Sequence, residues 1–136
     1  DEQAVLRDML SDEIFDEDLQ PGEILDYCGP GIQKGTYKKF RRGEYRREDE
    51  LDLHGYTGEQ ARKLLSEFLH HSRDQGYRCV NIIHGKGLSS NGGPILKTRV
   101  NSWLRQRGDV LAFHSARPND GGTGAVYVLL KSNRKD

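Results

Sequence analysis

From Glu50 onward, short apolar runs alternate with amphipathic stretches in a regular order. "ELDLH" (50–54) reads as a short strand. Thr57-Gly58-Glu59-Gln60 fits a capping box, in which a hydroxyl and an amide side chain each satisfy a free N–H at a helix start. Tyr56 and Ala61 flank that cap at the spacing of a hydrophobic staple. Ala61, Leu64, Leu65, Phe68 and Leu69 then recur on one face of a helix that Gly76 closes. "RCVNIIH" (78–84) is a continuous β-branched run, which predicts a strand covered on both faces, with Cys79 a buried thiol. After the glycine-rich loop "GKGLSSNGG", Pro94 suits the first position of a second helix. Leu96, Val100, Trp103 and Leu104 form its inward stripe, and Gly108 ends it. "VLAFHSA" (110–116) is a third strand, "RPNDGGTG" a turn, and "AVYVLLK" (125–131) a fourth strand.

The order is β-α-β-α-β-β, that of an α/β domain. Two βαβ units make the first three strands parallel, and the last two strands form an antiparallel hairpin. Three loops, beginning at His54-Gly55, His84-Gly85 and Arg117-Pro118, should therefore gather outside the carboxyl ends of the parallel strands. That edge is where open α/β sheets place their ligands.

The chain ahead of this domain has a different texture. Val5, Leu6, Met9 and Leu10 fall on one side of a short helix. Residues 11–35 read as an acidic linker, punctuated by Pro21-Gly22 and Gly29-Pro30-Gly31. "KGTYKKFRRGEYRRE" (34–48) is basic with interleaved Tyr37, Phe40 and Tyr45, and fits strand, helix or disordered arm alike. The expected division is an extension over 1–47 and a domain over 48–136.

Charge sharpens that division. The 21 basic and 21 acidic residues cancel overall, but residues 1–27 hold ten acids against Arg7, while 28–47 hold seven bases against Glu44. Two cysteines, Cys28 and Cys79, are too few for a disulfide framework, and a reduced, cytoplasmic setting is expected. No apolar stretch approaches the roughly 20 residues that span a bilayer, so no membrane partner is expected. The first residue is Asp1, as expected of a piece of a longer chain.

Three elements could carry chemistry. Residues two apart in a strand face the same way, so Asp52 and His54 should pair, with the carboxylate orienting the imidazole for proton transfer near neutral pH. The plainer alternative is a turn cap beside a solvated histidine. "HGKG" places His84, Gly85, Lys86 and Gly87 at the end of the most apolar strand, where glycine amides and a lysine can approach an anion. The spacing is not that of a Walker loop. Arg117 and the glycines Gly121, Gly122 and Gly124 lie in the third loop, where they can fold over a phosphodiester backbone or simply make a turn. His114 fits a structural or rim position, and His70 and His71 the exposed end of the first helix. No spacing suggests a structural zinc site. A Mg²⁺ bridged by phosphate is compatible with Asp52 and the histidines.

Taken together, "ELDLHGYTGEQA", "IIHGKG" and "GGTGAVYVLL" resemble, in order and spacing, the Smr domain, the small MutS-related module, over about residues 48–132. The basic "FRRGEYRRE" looks like the lead-in of small stand-alone bacterial members. The resemblance implies a two-layer βαβαββ sandwich with a four-stranded mixed sheet, similar to the carboxyl-terminal domain of a bacterial translation initiation factor. It implies an endonuclease that nicks DNA or cuts RNA, several members acting on mRNA at stalled or collided ribosomes. The family's D-x-H motif falls on Asp52 and His54, and its H-G-x-G motif on His84, Gly85, Lys86 and Gly87; both are intact.

The expectation is thus an RNA-preferring endonuclease. Asp52, His54 and His84 would be catalytic; Gly55, Gly85, Lys86, Gly87, Arg117, Gly121, Gly122 and Gly124 would meet the strand. Lys38, Lys39, Arg41 and Arg42 would track phosphates, with Arg46 and Arg47 assisting and Tyr37 and Phe40 stacking on bases. RNA cleavage by this route needs no cofactor; DNA nicking would need an activated water, with Mg²⁺. RNA or DNA and the ribosome are the expected partners, and a monomer is favoured. The competing reading is a non-catalytic RNA- or ribosome-binding module. A small-molecule phosphate enzyme fits poorly, because no second domain encloses a ligand.

Overall fold

The computed structural model describes residues 19–20, 22–87 and 95–132. The proposed helix over residues 1–10, Pro94 and the loop positions 88–93 lie outside the described residues. Among the described residues the strands are β1 (Asp26–Cys28), β2 (Glu50–Asp52), β3 (Cys79–Ile83), β4 (Val110–Ser115) and β5 (Ala125–Leu130). The helices are α1 (Lys34–Arg41), α2 (Gly58–Asp74) and α3 (Ile95–Arg105).

The strands form one mixed sheet in the order β1-β4-β5-β3-β2. β2 and β3 are parallel, and β5 runs antiparallel between β3 and β4. β2, β3 and β4 therefore share a direction, and their carboxyl ends meet at one edge, as the sequence order predicts. β5 is the hairpin return slotted between them.

The sequence predicts α2 closely. Thr57 Oγ accepts the Gln60 N–H at 3.3 Å and Gln60 Oε1 accepts the Thr57 N–H at 3.0 Å, completing the capping box. Ala61, Leu65 and Leu69 are fully buried. With Val100, Trp103 and Leu104 of α3 they cover Val80, Ile82, Val126 and Val128 on one sheet face.

The sheet has five strands rather than four, and its second face is covered. The extra strand comes from the segment read as an acidic linker. Asp26 pairs with His114 and Cys28 with Ala112. Short-range composition hides this strand, because its pairing is made with residues more than eighty positions away. Gly29 is required there: a Cβ at that position would lie 2.6 Å from the Leu111 carbonyl oxygen.

The basic segment is in part a helix, α1, which covers the face opposite α2 and α3. Ala112, Ala125, Tyr127 and Leu129 point to that face, and Phe40 of α1 fills it, fully buried. An apolar sheet face left to water would be costly, so the lead-in is drawn onto it. This corrects the expectation that Phe40 stacks on bases. Tyr37 is likewise engaged, half-buried against Phe40 and His114 and donating its hydroxyl to Asp26. A bulge between Val110 and Ala112 places Val110 on the same face as Phe113, breaking the simple alternation.

Candidate active site

Asp52 ends β2, and His54 follows it at the sheet edge. His54 Nδ1 lies 2.6 Å from Asp52 Oδ1, which also accepts the His54 backbone N–H at 3.0 Å. The side chains are 71% and 47% exposed for His54 and Asp52, so the pair is open to solvent. Partial burial works to raise the Asp52 pKa, but the two hydrogen bonds and the charge of His54 outweigh it and hold the carboxyl below its usual value. A carboxylate fixed on Nδ1 leaves Nε2 as the ring nitrogen that can exchange a proton with a ligand.

β3 delivers the second loop to the same place. A Cβ built on Gly85 would lie 3.7 Å from the Cβ of His54, so "DLH" and "HGKG" are neighbours. His84 behaves differently from His54. It is 3% exposed, and its Nδ1 lies 2.7 Å from the Gly85 carbonyl. Among the described residues its Nε2 has no hydrogen-bond partner. Burial pushes its pKa down to about 4, helped by the Lys97 charge and opposed by the Gly85 carbonyl. A ring with that value is neutral at pH 7, with the proton on Nδ1 facing Gly85. Lys86 is exposed at this edge, between Gly85 and Gly87, both at positive φ.

The third loop supports the second. The Gly124 carbonyl accepts the N–H groups of His84 and Gly85 at 3.0 and 2.9 Å. A Cβ on Gly124 would lie 3.1 Å from Lys86 Cγ and 3.3 Å from Lys86 N. Gly121 and Gly122 serve the turn itself, at φ +114 and +56. Gly55, at φ +84, turns the chain after His54.

Behind the loops lies a polar network that turn grammar conceals. Asp120 Oδ2 accepts from the Tyr127 hydroxyl and, at 3.1 Å, from Arg47 Nη2. The Asp120 carbonyl accepts from Asn81 Nδ2 at 3.2 Å. Arg47 also donates to the carbonyls of Gly43 and Tyr45, and its guanidinium lies over the Tyr127 ring. Arg47 is thus a clamp between lead-in and loop, which corrects its assignment to phosphates. The signals for it were an asparagine inside an apolar strand and an aspartate read as an ordinary turn residue.

The basic residues at the carboxyl end of α1, with Arg42 as its cap, face outward. Lys38, Lys39, Arg41 and Arg42 are all exposed. Lys39 lies over the Tyr45 ring and Arg41 over the Tyr37 ring. Arg117 is exposed too, and its Nη1 donates to the Arg42 carbonyl at 2.9 Å. That bond brings the carboxyl end of α1 to the edge that carries the three loops. Among the described residues, no three His, Cys, Asp or Glu side chains gather as a metal-holding group. Among the same residues, no helix is long and apolar enough to cross a membrane.

A family model for the Smr domain matches residues 51–131. The chain belongs to the Smr domain family. The ribosome rescue factor SmrB of Tolumonas auensis is 40% identical over 109 residues, covering 80% of this chain and 60% of that protein. SmrB of Serratia proteamaculans is 36% identical over 130 residues, covering 96% of this chain and 70% of that protein. The chain thus spans about 60–70% of the length of these curated relatives. Among solved structures, YdaL, a stand-alone small MutS-related protein from Escherichia coli, superposes with a TM-score of 0.81 at 33% identity, covering 93% of this chain and 97% of that one. The Smr domain of Thermus thermophilus MutS2 gives a TM-score of 0.55 at 30% identity, covering 61% of this chain and 98% of that one. The YdaL match therefore extends well upstream of the Smr span, into the lead-in that covers the second sheet face.

Proposed function

We propose that this Smr domain is an endonuclease that cuts single-stranded RNA by metal-independent acid–base chemistry, and that its substrate is RNA on the ribosome. The observation that carries the proposal is the exposed Asp52–His54 pair beside the HGKG loop. His54 takes the proton of a 2′-OH through Nε2, while Asp52 holds Nδ1–H and stabilises the imidazolium that forms. The 2′-oxygen attacks the adjacent phosphorus, the 5′-oxygen leaves and takes a proton from water at this open edge, a 2′,3′-cyclic phosphate remains, and the imidazolium returns its proton to solvent. Lys86 and the glycine-loop amides supply positive charge to the phosphorane. His84, buried and with Nδ1 on the Gly85 carbonyl, positions the HGKG loop beside His54. The exposed cations of α1, joined to the site edge through Arg117, guide the strand by its phosphates. The ribosome enters from the names of the SmrB relatives.

The test is cleavage of a labelled single-stranded RNA in EDTA and in Mg²⁺, with wild type beside folded Asp52→Ala and His54→Ala. Cutting in EDTA that both variants lose supports the mechanism. Cutting only with Mg²⁺ replaces it with an activated water, for which Asp52 is the nearby carboxylate. Binding without cutting, on free RNA and on ribosomes alike, favours the non-catalytic RNA-binding module.

A further inference from the structure

Six tyrosines lie among the described residues, and five have occupied rings. Tyr27 stacks on Phe113, Tyr37 and Tyr127 meet Phe40, Tyr77 meets His71, and Tyr45 carries Lys39. Tyr56 is the exception. It is 46% exposed, has no ring or cation contact among the described residues, and stands two residues after His54. Its position before the Thr57 cap is that of a hydrophobic staple, but the partner Ala61 is fully buried while the Tyr56 ring stays half in water. Helix capping therefore does not consume the ring.

Two surface depressions share Tyr56. One, of about 410 Å³, is lined by Asp52, His54, Gly55 and Tyr56. The other, of about 290 Å³, is lined by Tyr56, Gln60, Lys63, Leu64 and Glu67 on the outer face of α2. The second thus adjoins, across Tyr56, the depression that holds the reacting pair. It has an aromatic wall, the half-buried Leu64, and a rim of amide, ammonium and carboxylate groups. The sheet order fixes where it lies: along the edge come the β4–β5 turn, the HGKG loop, then His54 and Tyr56. The basic α1 packs over β4 and β5, at the far end of that row. Three strand spacings separate β4 from β2, roughly 14 Å.

We infer that Tyr56 and the α2 groove form a nucleobase subsite, which takes the base next to the phosphate that His54 addresses. The inference rests on the nuclease reading for the identity of that phosphate. The base stacks on the Tyr56 ring and the Lys63 ammonium lies within the same groove for the adjoining phosphate. The strand then enters over the α1 cations, passes the glycine loops and leaves across α2. Base stacking tolerates any sequence, so the subsite sets the position of the cut more than its sequence.

The test uses short single-stranded RNAs, each carrying one 2-aminopurine at a different position, with wild type, Tyr56→Phe and Tyr56→Leu. Leucine keeps the staple packing and removes the stacking face. Thermal melts confirm that all three are equally folded. Wild type and Tyr56→Phe should quench the fluorophore at one position, and Tyr56→Leu should not. In cleavage of the same RNA, Tyr56→Leu should lose roughly tenfold to hundredfold in kcat/KM. Equal quenching by Tyr56→Leu, or RNA bound with no position quenched, overturns the subsite. If wild type quenches but does not cut, the nuclease reading falls and the subsite stands.

Discussion

The carbonyl oxygen of Gly124 accepts the N–H of His84 at 3.0 Å, and through that hydrogen bond the β4–β5 turn holds the HGKG loop. A Cβ at Gly124 would press on Lys86 at 3.1–3.3 Å. Gly124→Ala should therefore shift the loop relative to His54. The expected result is a loss of RNA cleavage below the roughly 10²-fold that misplacement by a full ångström costs, since contacts of 3.1–3.3 Å are relieved by a smaller shift. The fall in unfolding free energy should stay within about 1–3 kcal/mol. Paired cleavage assays and urea melts check both numbers; unchanged cleavage would show that the loop position does not matter to the chemistry.

His84 gives a pH dependence of stability. Its folded pKa, about 4, lies below the ordinary 6.5 expected of the unfolded chain. Between those values the unfolded chain binds a proton that the folded chain refuses. The stabilisation is therefore complete above about pH 6.5 and lost as pH falls towards 4, a change of about 3 kcal/mol. His84→Asn keeps an N–H donor near Nδ1 but does not titrate. Urea unfolding across pH 4–7 should show a steeper acid loss in wild type than in His84→Asn.

Asp120 links three elements through Arg47, Tyr127 and Asn81. Tyr127→Phe removes the hydroxyl that donates to Asp120 Oδ2 and leaves the ring in the core. It should cost about 1–2 kcal/mol. Asp120→Asn should cost about 2 kcal/mol, because the Arg47 charge also loses its carboxylate partner. The two losses should add to less than their sum in the double variant, as expected of a shared network.

Helix α1 separates packing from charge within eight residues. Phe40→Ala should destabilise the fold by about 3–5 kcal/mol, because its ring fills the second sheet face. Replacing Lys38, Lys39, Arg41 and Arg42 with glutamine should leave the melting temperature nearly unchanged. It should weaken RNA binding at low salt and reduce the slope of log affinity against log salt by about 0.7 for each phosphate that the variant no longer neutralises. A fluorescence anisotropy titration at several salt concentrations measures this directly.

The local elements were written in the sequence at short range. The capping box at Thr57, the stripe from Ala61 to Leu69 and the β-branched run into His84 each depend on neighbours a few residues apart. The pairing of Asp52 with His54 was legible at the same short range, although β2 ends at Asp52 and it is the turn, closed by the His54 N–H on Asp52 Oδ1, that sets the pair. What the tertiary structure decided involves partners distant in the chain. β1 exists because β4 offers an open edge, and α1 because the face with Tyr127 and Leu129 needs a cover. The two histidines of the motifs look equivalent as letters. Burial separates them: one is solvated and held by a carboxylate, the other enclosed and kept neutral. Solvent access depends on how elements from both ends of the chain pack around each ring, and no spacing within "DLHG" or "HGKG" encodes it.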